Sequence, residues 1–339
     1  MTAEMKTFMI HGISVVIPNY NGVDLLAETL VTTKIALVNI GVPFEIIISD
    51  DNSTDTSVQW LMENHPEVRV LESSENSGFA IAVNKGVAIS KFDKVLLLNS
   101  DVKLAPDYFK NQLTYFDEPD AFGVMGRIMA WETDKLLEGA KYPAFHGLKI
   151  KTSNNFILKE EEKMNKGIFT FYLSGANALI DKKKFLLLEG FNESFSPYYI
   201  EDVDLSLRAW RLGFKCYFDY QSVCRHKNSV TIRSKNSKRN ISIIYNRNKF
   251  MLHAIHLERV RRIGWYLQLI PDCIIRLLMF RWAYFTSLYQ FFCSTGKVRE
   301  SIRRFEEMAD QRGYRKSVSE IASFIKGSVS KVEKKFWRP

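Results

Sequence analysis

The residues best placed to do chemistry in this 339-residue chain are carboxylates that follow apolar runs directly. Asp50 and Asp51 end the run Phe44–Ser49, Asn99 and Asp101 follow Val95–Leu98, and Glu201, Asp202 and Asp204 open a helical stretch reaching Leu212. A hard divalent cation on a diphosphate takes oxygen ligands, often one or two carboxylates plus waters and phosphate oxygens. Asn99-Ser100-Asp101 offers two such side chains on one turn, Asp101 being the stronger because Asn99 has only a neutral carbonyl. The same tripeptide alone also suits an Asx turn. A carboxylate closing the second strand can accept the imide N–H of uracil or thymine. Equally, Asp50-Asp51 before Asn-Ser-Thr-Asp fits a helix-capping turn. Glu201 or Asp202 can take the proton of an attacking hydroxyl, or can face the positive end of a helix dipole. His226, in Val-Cys-Arg-His-Lys-Asn-Ser, suits a metal or phosphate contact or an ordinary hydrogen-bonded role. His11, His65, His146, His253 and His256 have no partner motif and are assigned to structure.

Strands and helices must hold these groups. Ile13–Ile17 is a β-branched run stopped by Pro18 and an Asn-Gly turn. Leu25–Leu37 has helical spacing, Phe44–Ser49 is a second strand, and Asp55–Asn64 a helix with Thr54 or Asp55 as N-cap. Val68–Glu72 is a strand, Ala80–Ser90 a helix and Val95–Leu98 a fourth strand. This alternation implies a parallel sheet with right-handed crossovers, covered on both faces because its strands lack in–out alternation. Such sheets bind ligands beyond the carboxyl ends of their strands, where Asp50, Asp51, Asn99 and Asp101 would gather. Asn21-Gly22 is not the Gly-rich dinucleotide fingerprint, which argues against a nicotinamide or flavin site. From Trp131 to Gly167 the pattern dissolves into polar loops and edge strands. Phe169–Ile180 is strand-like again, Asp181–Leu188 helical, Gly190-Phe191 a turn, Glu201–Leu212 a helix and Lys215–Val223 a strand.

Composition is that of a folded protein with a sizeable core. Charge is divided unevenly. Residues 1–224 carry 22 Lys+Arg against 30 Asp+Glu, whereas 225–339 carry 25 against 8. A basic second half points to an anionic partner. Four scattered cysteines give no disulfide framework and fit reduced thiols. The N-terminus lacks a basic region followed by an apolar run, so no signal peptide is expected. Ile263–Phe292, interrupted by Asp272, Arg276 and Arg281, is not expected to span a membrane.

Together these segments resemble the family-2 inverting glycosyltransferases of GT-A fold, in particular bacterial rhamnosyltransferase-like enzymes of cell-surface polysaccharides. The segments are SVVIPNYNG (Ser14–Gly22), EIIISDDNSTDTS, ENSGFAIAVNKGV (Glu75–Val87), LLLNSDV, YLSGANALIDKKKF (Tyr172–Phe185), IEDVDLSLRAWRLGF and YNRNKF (Tyr245–Phe250). The likeness covers about the first 250 residues and implies an α/β fold with a mostly parallel central sheet. It implies a catalytic domain over 1–230, with a nucleotide-sugar half to about 105 and an acceptor half from 106, followed by a helical, basic extension over 231–339. By resemblance, Pro18, Tyr20, Asn21, Asp50, Gly78, Asn84, Asn99 and Ser100 bind the donor, a UDP- or dTDP-sugar. Asp101 and His226 serve a divalent metal, Mn²⁺ or Mg²⁺. Asp202 is the base with Glu201 beside it, and Gly175 and Ala176 lie on the acceptor side. The metal motif is Asn-Ser-Asp where the family commonly has Asp-x-Asp or Asn-Pro-Asp. The Gln-x-x-Arg-Trp signature of processive synthases is missing, which implies single additions to a glycan or polyprenyl-diphosphate-linked acceptor. The expected location is cytoplasmic, peripheral on the inner face of the cytoplasmic membrane.

In the last third, Gly264–Phe292 mixes Trp, Tyr, Phe, Leu and Ile with flanking arginines, a pattern suited to a bilayer interface. The same pattern fits a helix pair packed on the catalytic domain or joining a homodimer. No nucleic-acid-binding motif accompanies the charge, so no nucleic-acid partner is expected. Two other functions compete. A sugar nucleotidyltransferase would want a basic, Gly-rich first loop, which Pro18–Gly22 is not. A non-catalytic carbohydrate- or lipid-binding protein would have no need of Asp50, Asp101 and Asp202 together.

Overall fold

The computed structural model describes residues 12–159, 167–227 and 237–337. His11, most of the N-terminal stretch, part of the polar region and the start of the C-terminal region lie outside these. The first half alternates as expected: β1 (Ile13–Asn19), α1 (Val23–Ile40), β2 (Phe44–Asp50), α2 (Ser57–Asn64), β3 (Arg69–Glu72), α3 (Phe79–Ile89) and β4 (Lys94–Leu98). β3, β2, β1 and β4 are parallel neighbours, with Asn19 paired to Asp50 at the carboxyl edge. Val15, Val16, Ile17, Ile47 and Ile48 are wholly buried, because helices cover both faces of the sheet. α2 starts later than expected, after Thr56; Asp55 still helps, accepting the Ser57 N–H at 3.0 Å.

Beyond β4 the chain departs from strict parallel order. β5 (Val102–Leu104), β6 (Ala121–Ala130) and β7 (Leu136–Glu138) come first. Short strands follow at β8 (Ala140–Lys141), β9 (Ala144–His146), β10 (Lys149–Lys151) and β11 (Asn155–Leu158). The stretch expected as one strand over Phe169–Ile180 is two pieces, β12 (Ile168–Phe169) and β13 (Asn177–Asp181), separated by an irregular loop. Its apolar residues are buried, but Ser174-Gly175 breaks the extended path so that the loop reaches the helix bearing Asp202. β13 runs antiparallel to both β4 and β6, and β6 pairs in parallel with β14 (Lys215–His226). β14 is longer than expected and ends at His226, whose neighbour in the antiparallel β5 is Val102.

α4 (Lys182–Leu187) is capped by Asp181, and α5 (Glu201–Arg211) precedes β14. The C-terminal region forms α6 (Lys238–His256), α7 (Arg259–Leu278), α8 (Trp282–Cys293), α9 (Thr295–Arg312) and α10 (Val318–Ser328). It ends in β15 (Lys334–Trp337), which pairs with β11. The hydrophobic core is continuous across residue 230, joining α5 and β14 to Phe250, Trp265, Phe291 and Ile321. Among the described residues, no helix is long and apolar enough to cross a membrane.

Candidate active site

Three carboxyl-edge loops interlock. Asp50, almost wholly buried, accepts the side-chain amide of Asn19 at 2.8 Å, the Ser53 N–H at 2.8 Å and the Ser53 hydroxyl at 2.6 Å. Asn21 Oδ1 accepts the Thr54 and Asp55 N–H groups at 2.6 and 3.1 Å, lacing the first loop to the second. The Ser100 carbonyl, on the turn after β4, accepts the Thr29 hydroxyl at 2.8 Å. Gly22 completes the junction: a Cβ there would lie 2.7 Å from Asn19 Oδ1 and 3.4 Å from Ser100 Oγ. The structure therefore brings Pro18–Asn21, Asp50 and the Asn99–Asp101 turn to one edge. Asp51 does different work, accepting the N–H groups of Ser77 and Gly78 at 2.9 and 2.7 Å. Gly78 has φ +95°, and a Cβ would meet the Pro197 backbone at 2.9 Å, so only glycine fits this approach of loop to loop. Asn84 sits farther along α3 and bonds the Phe191 backbone through both amide atoms.

Asp101 and His226 are 125 residues apart in sequence, yet Oδ1 and Nε2 lie 3.0 Å apart. The β5–β14 register makes this contact, since pairing Val102 with His226 sets the preceding Asp101 against the ring. Both side chains are buried. Burial alone would lower the imidazole pKa, but the hydrogen bond and charge of Asp101, with Glu138 farther off, raise it above its ordinary value.

The loop between β12 and β13 connects this turn to α5. The Asn99 N–H donates to the Ala176 carbonyl at 3.1 Å, and the Gly175 N–H reaches Asp202 Oδ2 at 3.4 Å. The Leu173 N–H donates to Ser206 Oγ, which itself donates to the Asp202 carbonyl at 2.8 Å. Gly175 and Ala176 thus bridge the two ends of the site.

The three acids of α5 have separate environments. Glu201 is buried with Oε2 lacking a hydrogen-bond partner. Burial and the neighbouring Asp202 push its pKa up to about 8, against the N–H groups of Glu201 and Tyr199. Asp202 is partly exposed and accepts the Val203 N–H at 2.8 Å. Burial raises it to about 6, opposed by the N–H groups of Gly175 and Val203. Asp204, fully buried, is ion-paired to Arg208 at 2.8 Å and bonded to His256 of α6 at 2.9 Å. Burial would raise Asp204, but the Arg208 charge and His256 hold it below the usual carboxylate range. His256 is itself lowered, chiefly by burial, so it serves as a neutral N–H donor to a charged Asp204. One acid is a base candidate, one its partner, and one a structural anchor.

Several contributors gave no sequence signal. Glu138, partly exposed, forms an ion pair with the buried Lys141, which also donates to Asn155 Oδ1 at 2.8 Å. Glu138 acts electrostatically on both His226 and Asp202. They lie in the region whose sequence reads as polar loop, and only their position in the fold distinguishes them. Asn248 of α6, wholly buried, donates to the Phe195, Tyr198 and Tyr199 carbonyls at 2.7–3.1 Å. Arg247 adds a bond to the Ser196 carbonyl at 2.6 Å. This clamp holds Tyr199 and Ile200 at φ +73° and +76°, just before the acids. The YNRNKF segment is visible in the sequence; its grip on the loop before Glu201 is not.

The raised pKa of Glu201 has a consequence for stability. Between its unfolded value near 4.5 and its native value near 8, the folded protein binds more protons than the unfolded chain. Stability from this group is therefore lost as pH rises through that window, at about 1.4 kcal/mol per unit at most. Urea unfolding of ligand-free protein between pH 5 and 8 should show wild type losing stability relative to Glu201→Gln as pH increases. Parallel curves for the two proteins would refute the assignment.

Solved structures share this architecture. A crystal structure of GalNAc-T7 with UDP, GalNAc and Mn²⁺ matches with a TM-score of 0.63 at 13% identity, covering 95% of this chain and 57% of that one. Staphylococcus aureus TarS residues 1–349, in complex with UDP-GlcNAc, matches at 0.52 and 14% identity, covering 89% of this chain and 92% of that one. The fold is that of the GT-A glycosyltransferases. The chain belongs to glycosyl transferase family 2, whose model matches residues 14–186, just over half its length. The match ends before Glu201, Asp202 and His226.

Among curated relatives, an undecaprenyl-phosphate 4-deoxy-4-formamido-L-arabinose transferase of Pseudomonas fluorescens is 31% identical over 145 residues. That match spans 41% of each chain, so less than half the relative's length is covered. An N-acetylglucosaminyl-diphospho-decaprenol L-rhamnosyltransferase of Mycobacterium tuberculosis is 24% identical over 213 residues, covering 56% of this chain and 69% of that one.

Proposed function

We propose that the protein moves one sugar from a UDP- or dTDP-linked donor to a hydroxyl of a glycan or polyprenyl-diphosphate-linked acceptor in cell-surface polysaccharide synthesis. The observation that carries this reading is the single loop, Leu173–Asn177, bonded at one end to the Asn99–Asp101 turn and at the other to Asp202. In this reading the diphosphate would lie at the Asn99–Asp101 turn, and the loop links that turn to Asp202, an acid with a pKa of about 6. The relatives named for polyprenyl carriers support the acceptor class, and with it a location at the inner face of the cytoplasmic membrane.

Asp101 and His226 fit a divalent metal, Mn²⁺ or Mg²⁺. A buried carboxylate and imidazole 3.0 Å apart supply an O,N donor pair. No cluster of three His, Cys, Asp or Glu occurs among the described residues. Water and the donor's own phosphates would have to complete the shell, as is usual for a cation held on a nucleotide substrate. Such a cation neutralises charge on the departing diphosphate. Asp50 and the Pro18–Asn21 loop would hold the base, with Ser100 beside the diphosphate.

The acceptor oxygen attacks the anomeric carbon as Asp202 takes its proton. A carbon–oxygen bond forms on one face while the bond to the β-phosphate breaks on the other, and the electron pair leaves with the nucleoside diphosphate. The configuration inverts in one displacement. Glu201, protonated near neutrality, sits beside Asp202 without adding a second negative charge.

The test is a thermal-shift panel of UDP, dTDP, GDP and CDP, each with and without Mn²⁺ or Mg²⁺. A ligand at a hundred times its Kd stabilises by about 2.7 kcal/mol. Metal-dependent stabilisation by UDP or dTDP alone is expected. Silence across the panel would overturn the donor site and favour a carbohydrate- or lipid-binding protein.

A further inference from the structure

An amphipathic helix normally turns its apolar face inward; α7 does the reverse. Val260, Ile263, Leu267, Ile270, Ile274 and Leu277 recur at intervals of three and four residues, which places them on one face, and all six are exposed. The opposite face makes the contacts. Trp265 is fully buried and stacks on His253 with ring centroids 5.4 Å apart, Gln268 accepts the Leu148 N–H at 3.2 Å, and Asp272 pairs with Lys149. The apolar surface continues around the turn into α8. Leu278 is 74% exposed, Phe280 76% and Trp282 57%, and Tyr289 and Phe292 are exposed beyond them.

Charge identifies what covers this surface. Residues 259–299 contain seven Lys and Arg but one acid, Asp272, and that acid is on the packed face. Arg259, Arg276 and Arg281 are exposed at the ends of the stripe and at the turn. A second copy would bring arginines against arginines. It would also lack the flanking opposite charges that set helix pairing, since Gly264, Tyr266, Pro271, Cys273 and Leu278 border the seam. An anionic lipid surface satisfies both parts at once, taking the apolar side chains among its acyl chains and the arginines at its headgroups.

We propose that the α7–α8 hairpin is an interfacial membrane anchor selective for anionic phospholipid, lying in the plane of one leaflet. α7 is about 30 Å long at 1.5 Å per residue, enough to set the orientation of the whole molecule. Its packed face holds the β9–β10 hairpin through Gln268 and Asp272. From there Thr152 accepts the Tyr172 hydroxyl at 2.6 Å, and Tyr172 lies within electrostatic reach of Asp202. Given the proposed glycosyl transfer, this order places the base one hairpin away from the lipid surface that would carry the acceptor. The anchor itself rests on the helices alone.

Co-sedimentation of the full chain with phosphatidylcholine vesicles, with and without phosphatidylglycerol, tests it. Wild type should bind the anionic vesicles and lose that binding with added salt. Arg259→Gln/Arg276→Gln/Arg281→Gln should weaken it on the order of a hundredfold. Leu267→Glu/Ile270→Glu should abolish it, and both variants should keep the wild-type melting temperature because the positions are exposed. Failure of wild type to prefer anionic vesicles would overturn the anchor. So would a wild-type dimer, by light scattering, that the Leu267→Glu/Ile270→Glu variant dissociates while vesicle binding is absent. Donor hydrolysis in detergent-free buffer should be equal in all three proteins. Its absence throughout would count against the catalytic reading and leave the anchor untouched.

Discussion

Asp202→Asn is expected to lower transfer by two to four orders of magnitude, the usual contribution of a positioned base, while the nucleotide-induced thermal shift survives. Amide for carboxylate preserves shape and can still accept the Val203 N–H that now meets Oδ1 at 2.8 Å. The helix start should therefore persist. What disappears is the acceptor for the hydroxyl proton. In wild type the same group should impose an acid limb on kcat/KM, activity falling as pH drops below about 6 and the carboxylate is protonated. Initial-rate measurements across pH 5–8, with nucleotide binding followed in parallel, check both parts. Turnover retained in Asp202→Asn would remove the base assignment.

Two residues along the same helix, Asp204→Ala should do the opposite, costing fold before chemistry. Asp204 is fully buried and neutralises Arg208, whose guanidinium also bonds the Leu188 and Gly190 carbonyls. It also receives His256 from α6, so one carboxylate ties α5, the turn at 188–190 and the C-terminal region. A buried ion pair is weak evidence of net stabilisation, because desolvation offsets its attraction. Removing one partner is another matter: it strands a charge in the core, at a cost of roughly 3–5 kcal/mol. Urea denaturation should show that loss in the midpoint, together with poor soluble yield. A midpoint within about 0.5 kcal/mol of wild type would show the anchor to be dispensable.

Much of the architecture of the first half is legible in the sequence. Ile13–Ile17, Phe44–Ser49 and Val95–Leu98 are each apolar runs ended by a polar turn, and strand identity of that kind is encoded within a few residues. The edge of the sheet therefore followed, and with it the company of Asp50, the first loop and the Asn99–Asp101 turn. Local reading failed where a segment's role depends on a distant partner. Phe169–Ile180 has strand composition throughout, but its middle is drawn out of the sheet toward α5 by Gly175 and Leu173. Glu138 and Lys141 resembled solvated loop charges because their partners, Asn155 and the His226–Asp202 neighbourhood, are assembled only by folding.

By itself, then, the sequence determined the alternating first half, the carboxyl-edge acids, the family and the basic character of the last third. These properties depend on residue type and short-range spacing. Tertiary structure decided which groups meet and what surrounds each acid of α5. Asp101 finds His226 through a strand register, and Glu201, Asp202 and Asp204 diverge in pKa through burial and neighbours. It also decided which way α7 faces. The three–four spacing of its apolar residues is the same for a helix turned inward or outward, and only the packing of Trp265 and Gln268 against the rest of the chain selects the second.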